Sequence, residues 1–241
     1  MKTTSAILTM SLLVAIASAQ VTKKTLELPE IKSIYNNSNY TVYLKQTNKQ
    51  EVNVEVLTEI YELTTISVEN GALIINVDRK PDNPNKSVWA KIDDIKLNPT
   101  MKLYVSLKNI GEIQVNGGGK VVSENSIASG IMVLSVAGNG SMDLDIKGDI
   151  VKADISGSGK IALRGYATSC DVVVSGSGSI NAFDCPIESS KTKISGSGIA
   201  ELNVTSTLDA LVVGPGSIKH KGNTKNTTKK VYGSGTVDRA Y

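Results

Sequence analysis

From Ile113 onward, apolar residues occupy alternate positions, and the alternation recurs with a period near twenty residues. Alternation of period two marks strands with one buried face. Each period also holds one Gly-x-Gly triplet. The first glycines, Gly117, Gly138, Gly157, Gly176, Gly196, Gly214 and Gly233, stand 21, 19, 19, 20, 18 and 19 residues apart. The second glycines are Gly119, Gly140, Gly159, Gly178, Gly198, Gly216 and Gly235. In the middle of the chain the triplet grows into Ser-Gly-Ser-Gly, at 156–159, 175–178 and 195–198.

The rows of equivalent positions predict stacks. Two residues before the first glycine stand Val115, Val136, Ile155, Val174, Ile194, Val212 and Val231. Four after it stand Val121, Met142, Ile161, Ile180, Ala200, Ile218 and Val237, and six after it Ser123, Leu144, Leu163, Ala182, Leu202, His220 and Arg239. A repeat of this length cannot bury its own apolar face, so neighbouring repeats must lie on one another. The predicted fold is all-β: a single-domain parallel β-helix, or β-solenoid, of about 19–20 residues per coil. Its core stack is Val136, Ile155, Val174, Ile194 and Val212 with Met142, Ile161, Ile180 and Ile218. The glycines mark corners where a Cβ is excluded. Seven coils at about 4.8 Å each give a rod of roughly 34 Å.

Residues 31–107 alternate without the glycine signal. Runs at Tyr40–Leu44, Val52–Leu57, Leu73–Val77, Val88–Ile92 and Leu103–Leu107 are separated by turn residues such as Asn36-Asn37-Ser38-Asn39 and Asn70-Gly71. They predict irregular coils, or a capping sheet, over the N-terminal end of a solenoid domain spanning 31–241, with 108–241 as its regular coils. An uncovered end exposes both core and strand edge. At the other end, His220, Lys229 and Arg239 enter interior rows. The core therefore runs out there, and residues 219–241 read as a polar cap.

The first 19 residues read as an export leader. Lys2 precedes an apolar run from Ile7 to Ala17, and Ala17-Ser18-Ala19 has the small-x-small form of a cleavage site. The run is too short for a membrane span. Residues 20–30 then form a lead into the domain. Export opens an oxidising compartment to Cys170 and Cys185, which lie in adjacent repeats but out of phase. A disulfide and a pair of buried thiols both stay open.

Formal charge is +3 over 241 residues, with aromatics at 4%. The most basic stretch, 219–230, contains no aromatic and reads as a solvated face, so nucleic acid is not an expected partner. Gly157-Ser158-Gly159-Lys160 lacks the spacing of a phosphate loop and continues as strand. His220 is the single histidine, and no carboxylate recurs at a fixed offset from the glycines. No metal, cofactor or catalytic residue is therefore expected. Asp143, Asp145, Asp171 and Glu201 admit an acid–base reading. However, Lys152, Asp171, Lys191 and Asp209 alternate in sign on one row, as a ladder of surface pairs does. Ser156, Ser175 and Ser195, with Ser158, Ser177 and Ser197, form a hydroxyl array, either bonded along the rod or offered as a candidate binding surface.

The β-branched-Ser-Gly-Ser-Gly corners at Gly157, Gly176 and Gly196, and the pattern from Ile34 to Val77 with Gly71-Ala72-Leu73-Ile74-Ile75, resemble the family named putative auto-transporter adhesin, head GIN domain. The resemblance covers roughly residues 26–238. It implies an exported β-helical protein of Bacteroidetes-like bacteria, residing in the periplasm, at the outer membrane or outside the cell, and brings no catalytic residues. The leading reading is a non-catalytic binding or adhesive module, since a rigid rod with long lateral faces suits extended ligands, with a glycan or a surface protein as the expected partner. Gly117-Gly118-Gly119 and Gly214-Pro215-Gly216 depart from the serine-bearing corner. A structural envelope protein and a polysaccharide-active enzyme are the competing readings. An outward surface with no concavity and no clustered aromatics would favour the structural reading over glycan binding.

Overall fold

The computed structural model describes residues 20–78 and 101–240. In chain order the elements are β1 (Val21–Leu26), β2 (Ser33–Asn36), β3 (Thr41–Gln46), β4 (Glu51–Leu57), the helical turn α1 (Thr58–Tyr61), β5 (Thr64–Glu69) and β6 (Ala72–Val77). There follow β7 (Met101–Leu107), β8 (Glu112–Gly117), β9 (Lys120–Ser123), β10 (Ile127–Gly138), β11 (Ser141–Gly157), β12 (Lys160–Gly176) and β13 (Ser179–Gly196). The last are β14 (Ile199–Val213), β15 (Ser217–Lys221), β16 (Asn226–Tyr232) and β17 (Thr236–Arg239). The expected leader, 1–19, and the expected strand Val88–Ile92 lie outside the described residues.

From β8 onward the chain is a parallel β-solenoid, as its periodicity requires. Val115, Val136, Ile155, Val174, Ile194 and Val212 are successive register partners, and all are fully buried. The rows of Met142, Ile161, Ile180 and Ile218 are likewise interior. The step of 20 residues is absorbed by a ladder shift between Ala162 and Arg164, and the step of 18 by shifts around Ala182–Pro186 and Ile187–Ser189, where Pro186 needs no ladder hydrogen bond.

The corners explain why the motif pairs a β-branched residue with two glycines. Gly176 has φ of +115°, a left-handed value that side chains resist. Gly178 has an ordinary φ, but a Cβ on it would stand 2.4 Å from Ile155 Cγ2, one coil below. The same contact recurs between Gly159 and Val136, Gly198 and Val174, Gly216 and Ile194, and Gly235 and Val212. Each branched γ-methyl thus rests on the bare Cα of the next coil's second glycine. Two further left-handed glycines, Gly165 and Gly222, turn a second corner eight residues after their coil's first glycine. They recur in two coils only, so no periodic signal announced them.

At the N-terminus the coils do not stack in chain order. The coil made by β2 and β3 lies between β8/β9 on one side and β6/β7 on the other, all parallel. An amide ladder follows that spatial order: Asn116 Nδ2 donates to Asn37 Oδ1 at 2.8 Å, and Asn37 Nδ2 to Asn76 Oδ1 at 2.9 Å. Beyond β6 and β7 the sheet continues antiparallel, with β5 on β6, β4 on β7, and β1 on β4. Asn70-Gly71, both at positive φ, close the β5–β6 hairpin. These antiparallel strands, with Ile60 of α1 buried in the core, are the N-terminal cap. Strand β1 belongs to it, although residues 20–30 read as a lead in the sequence.

The C-terminal end is barer. Lys229, Val231 and Arg239 pair with Ala210, Val212 and His220 of the coil below, and all three are exposed. Val231 and Arg239 therefore leave the interior rows in which the periodicity placed them, because no coil among the described residues covers them. His220 is buried, and burial together with Lys229 and Arg239 lowers its pKa. Cys170 and Cys185 are buried free thiols, pushed up by burial from 9.0 to about 12 and about 11.

Gly178→Ala is expected to cost about 1–3 kcal/mol by overpacking, whereas Ser177→Ala between the glycines should cost less than about 0.5 kcal/mol. Thermal unfolding of the two variants measures the difference, and equal losses would contradict the corner contact. A second expectation concerns pH. Both thiols ionise more easily in the unfolded chain than in the folded one. Their contribution to stability is complete below pH 9.0 and is lost as pH rises toward about 11 and 12. At about pH 8 a thiol reagent should label neither cysteine until the chain is denatured; rapid labelling of the folded chain would place a thiol at the surface.

Candidate functional site

The inverted coil order brings together outward residues that are far apart in sequence. One outward row runs across the ladder through Asp143, Val122, Tyr43, Tyr104, Asn53 and Thr25. Tyr43 and Tyr104 stack with centroids 5.1 Å apart and planes at 16°. Such a pair adds about 0.5–1.5 kcal/mol beyond its buried area. One face of the Tyr104 ring is occupied by Tyr43. On the other side of the ladder Tyr104 is paired with Asn53 of β4. Among the described residues neither phenol oxygen has a hydrogen-bond partner, so both are left to solvent.

A concavity of about 290 Å³ is lined by Tyr104, Asn53, Thr25, Glu55 and Lys23 among others. Its polar groups are held in place. Thr25 Oγ1 donates to Asn53 Oδ1 at 2.6 Å, Asn53 Nδ2 donates to Glu51 Oε1 at 2.8 Å, and Lys23 Nζ lies 3.4 Å from Glu55 Oε2. The bond from Asn53 and the charge of Lys49 hold the Glu51 carboxyl below its usual range. Two further hollows continue the depression. One of about 700 Å³ shares Thr25 and includes Lys49 and Gln50. The next, about 460 Å³, shares Lys49 and Gln50 and reaches Lys108 and Asn109. Gln50 fixes the floor by donating to the carbonyls of Leu28 and Pro29 and accepting from the Ile31 N–H. The result is a groove across the cap, with an aromatic wall at one end and amides, carboxylates and ammonium groups along it.

The residues singled out by the repeat lie elsewhere. The first glycines Gly117, Gly138, Gly157, Gly176, Gly196, Gly214 and Gly233 all have positive φ, and the second glycines all sit where a Cβ would collide. Ser156, Ser158, Ser175, Ser177 and Ser197 are exposed at the corner edge, and Ser195 is half-buried. Among the described residues none of these six hydroxyls has a hydrogen-bond partner. The corner is instead held by backbone bonds, such as Ser177 N–H to the Gly157 carbonyl at 2.9 Å.

The charge ladder is a partial correction. Lys152, Asp171, Lys191 and Asp209 are neighbours by register, but no ion pair forms among them. The contacts made are Arg164 with Asp143, Lys219 with Glu201 at 3.9 Å, and Asn181 Nδ2 donating to Glu201 Oε2 at 3.0 Å. Asp143 and Glu201, which an acid–base reading would employ, are thus tied to strand neighbours. Among the described residues no three of His, Cys, Asp or Glu gather as metal ligands. None of the helices there is long and apolar enough to cross a membrane.

Sequence reasoning missed the groove because its wall and floor come from strands up to 80 residues apart, Thr25 and Tyr104 among them. The available signal was the outward phase of Tyr43 and Tyr104, each between two buried residues of its strand.

Comparison with solved structures gives a consistent fold. A putative adhesin from Bacteroides fragilis is similar with a TM-score of 0.80 at 21% identity, over 92% of this chain and 98% of that one. A putative lipid binding protein from Parabacteroides distasonis follows at 0.72 and 22%, over 92% and 97%. A putative adhesin from Parabacteroides merdae gives 0.66 and 20%, over 92% and 97%. Comparison with curated proteins returns no match. The family "Putative auto-transporter adhesin, head GIN domain" matches residues 31–224, most of the chain, and the chain belongs to that family.

Proposed function

We propose that the chain is an exported, non-catalytic binding module, an adhesin, that holds an extended carbohydrate in the groove across its N-terminal cap. The observation that carries the reading is Tyr104, stacked on Tyr43, lining the first of three hollows that share residues along the cap. An aromatic face takes the C–H face of a pyranose, while amides and carboxylates exchange hydrogen bonds with its hydroxyls. Small-molecule sites have this form, concave and with a few fixed polar groups. The extended groove matches a chain of sugars better than a single one. On this reading residues 1–19 are removed on export and 31–241 form one solenoid domain. The chain then acts at the outer membrane, in the periplasm or outside the cell.

The test is a glycan array with residues 20–241, followed by calorimetry on any glycan retained. Tyr104→Ala should weaken binding by about tenfold or more, as truncation of a central aromatic does. Ser175→Ala, on the corner array, should leave it unchanged. Absence of any glycan ligand, or equal binding by Tyr104→Ala, would contradict the reading. Loss through Ser175→Ala alone would move the site to the serine corner.

A further inference from the structure

The C-terminal tip of the rod carries a second surface, independent of the groove. Residues 217–241 contain Lys219, Lys221, Lys225, Lys229, Lys230 and Arg239 against the single carboxylate Asp238. Their surplus exceeds the formal +3 of the whole chain, so the remainder is net negative. Charge is segregated to one end.

Apolar groups are exposed at the same end. The outward corner row changes character along the rod, from Asn76, Asn37 and Asn116 through Ala137, Ser156, Ser175 and Ser195 to Val213 and Tyr232. Val213 is 41% exposed, Tyr232 64% and the adjacent Val231 40%. Cations on an edge strand commonly serve only to block pairing with other strands. That role alone would favour polar neighbours, yet here the exposed Val231 and Tyr232 directly follow Lys229 and Lys230, with Val213 beside Tyr232 on the coil below. Two of the cations are also fixed rather than free to fold away: Lys229 Nζ donates to the Val237 carbonyl at 2.9 Å, and Arg239 Nη2 to the Gly222 carbonyl at 3.2 Å. They converge over the open end of the core, where they also depress the titration of buried His220.

We propose that this tip docks on an anionic lipid surface, its cations among the headgroup phosphates and Tyr232 with Val231 and Val213 at the interface. Basic groups beside an anionic bilayer each add attraction that decays within a Debye length. Tyrosine is at home at headgroup depth, with its ring apolar and its hydroxyl wet. Several weak terms of this kind give reversible attachment, and the rod would stand with its cap and groove directed away from the surface.

The experiment is co-sedimentation of residues 20–241 with phosphatidylcholine vesicles, alone or mixed with phosphatidylglycerol, at low and high salt. Binding is expected to the mixed vesicles only, and to fall with salt. Lys225→Glu combined with Lys230→Glu, two exposed side chains with no partner among the described residues, should weaken it roughly tenfold or more. Tyr232→Ser should weaken it at constant charge, with circular dichroism unchanged in both variants. Equal binding to neutral and anionic vesicles, no binding to either, or parental binding by the double glutamate variant would overturn the proposal. Tyr104→Ala should bind vesicles as the parent does, which separates this surface from the groove.

Discussion

One contact governs the rod: a branched γ-methyl of one coil seated on the bare Cα of a glycine in the next. The methyl of Ile155 reaches the point where a Cβ on Gly178 would stand, and Val174 does the same at Gly198. Interiors are packed to crystal-like density, so a coil that fits here fixes its neighbour's height and rotation at once. The first glycine of each triplet contributes differently, by adopting a left-handed turn that lets the chain change direction. With every corner set in this way, Val136, Ile155, Val174, Ile194 and Val212 fall on one line, and the remaining rows follow.

The regular coils were legible because this constraint is local and repeated. A γ-methyl and a missing Cβ leave marks at fixed spacing, and the spacing reads directly as coil length. The N-terminal third was not legible in the same way. Its coil of β2 and β3 is inserted between strands that come later in the chain, and only non-local pairing decides that order. The corner at Asn36 carries no glycine. Its amide side chain instead bonds the Tyr40 carbonyl and the Ser38 hydroxyl, sitting against Gly119 of the next coil. Val231 shows the opposite limit. Its residue type fits the interior row, but burial depends on whether another coil follows, which no single position encodes.

Both proposed surfaces sit where the repeat is broken. The middle coils are nearly uniform, so their outer faces offer the same serines and charges again and again. At the N-terminal end, antiparallel strands turn the sheet and open a groove against Tyr104, Asn53 and Thr25. At the C-terminal end, the core stops beneath Lys229, Val231 and Arg239. The solenoid between them acts as a spacer whose length is set by its number of coils. A rigid spacer with unlike ends suits a protein that holds one thing while standing on another.

The most direct measurement is a double-mutant cycle on Ile155 and Gly178, with Ile155 and Gly198 as a control pair two coils apart. If the methyl–glycine seat sets the stacking, removing the methyl in Ile155→Ala relieves the collision made by Gly178→Ala. The double variant should then be more stable than the summed single losses by about 1 kcal/mol or more, while the control pair adds. Additive losses in both pairs would mean that the coils are held in register by something other than this contact.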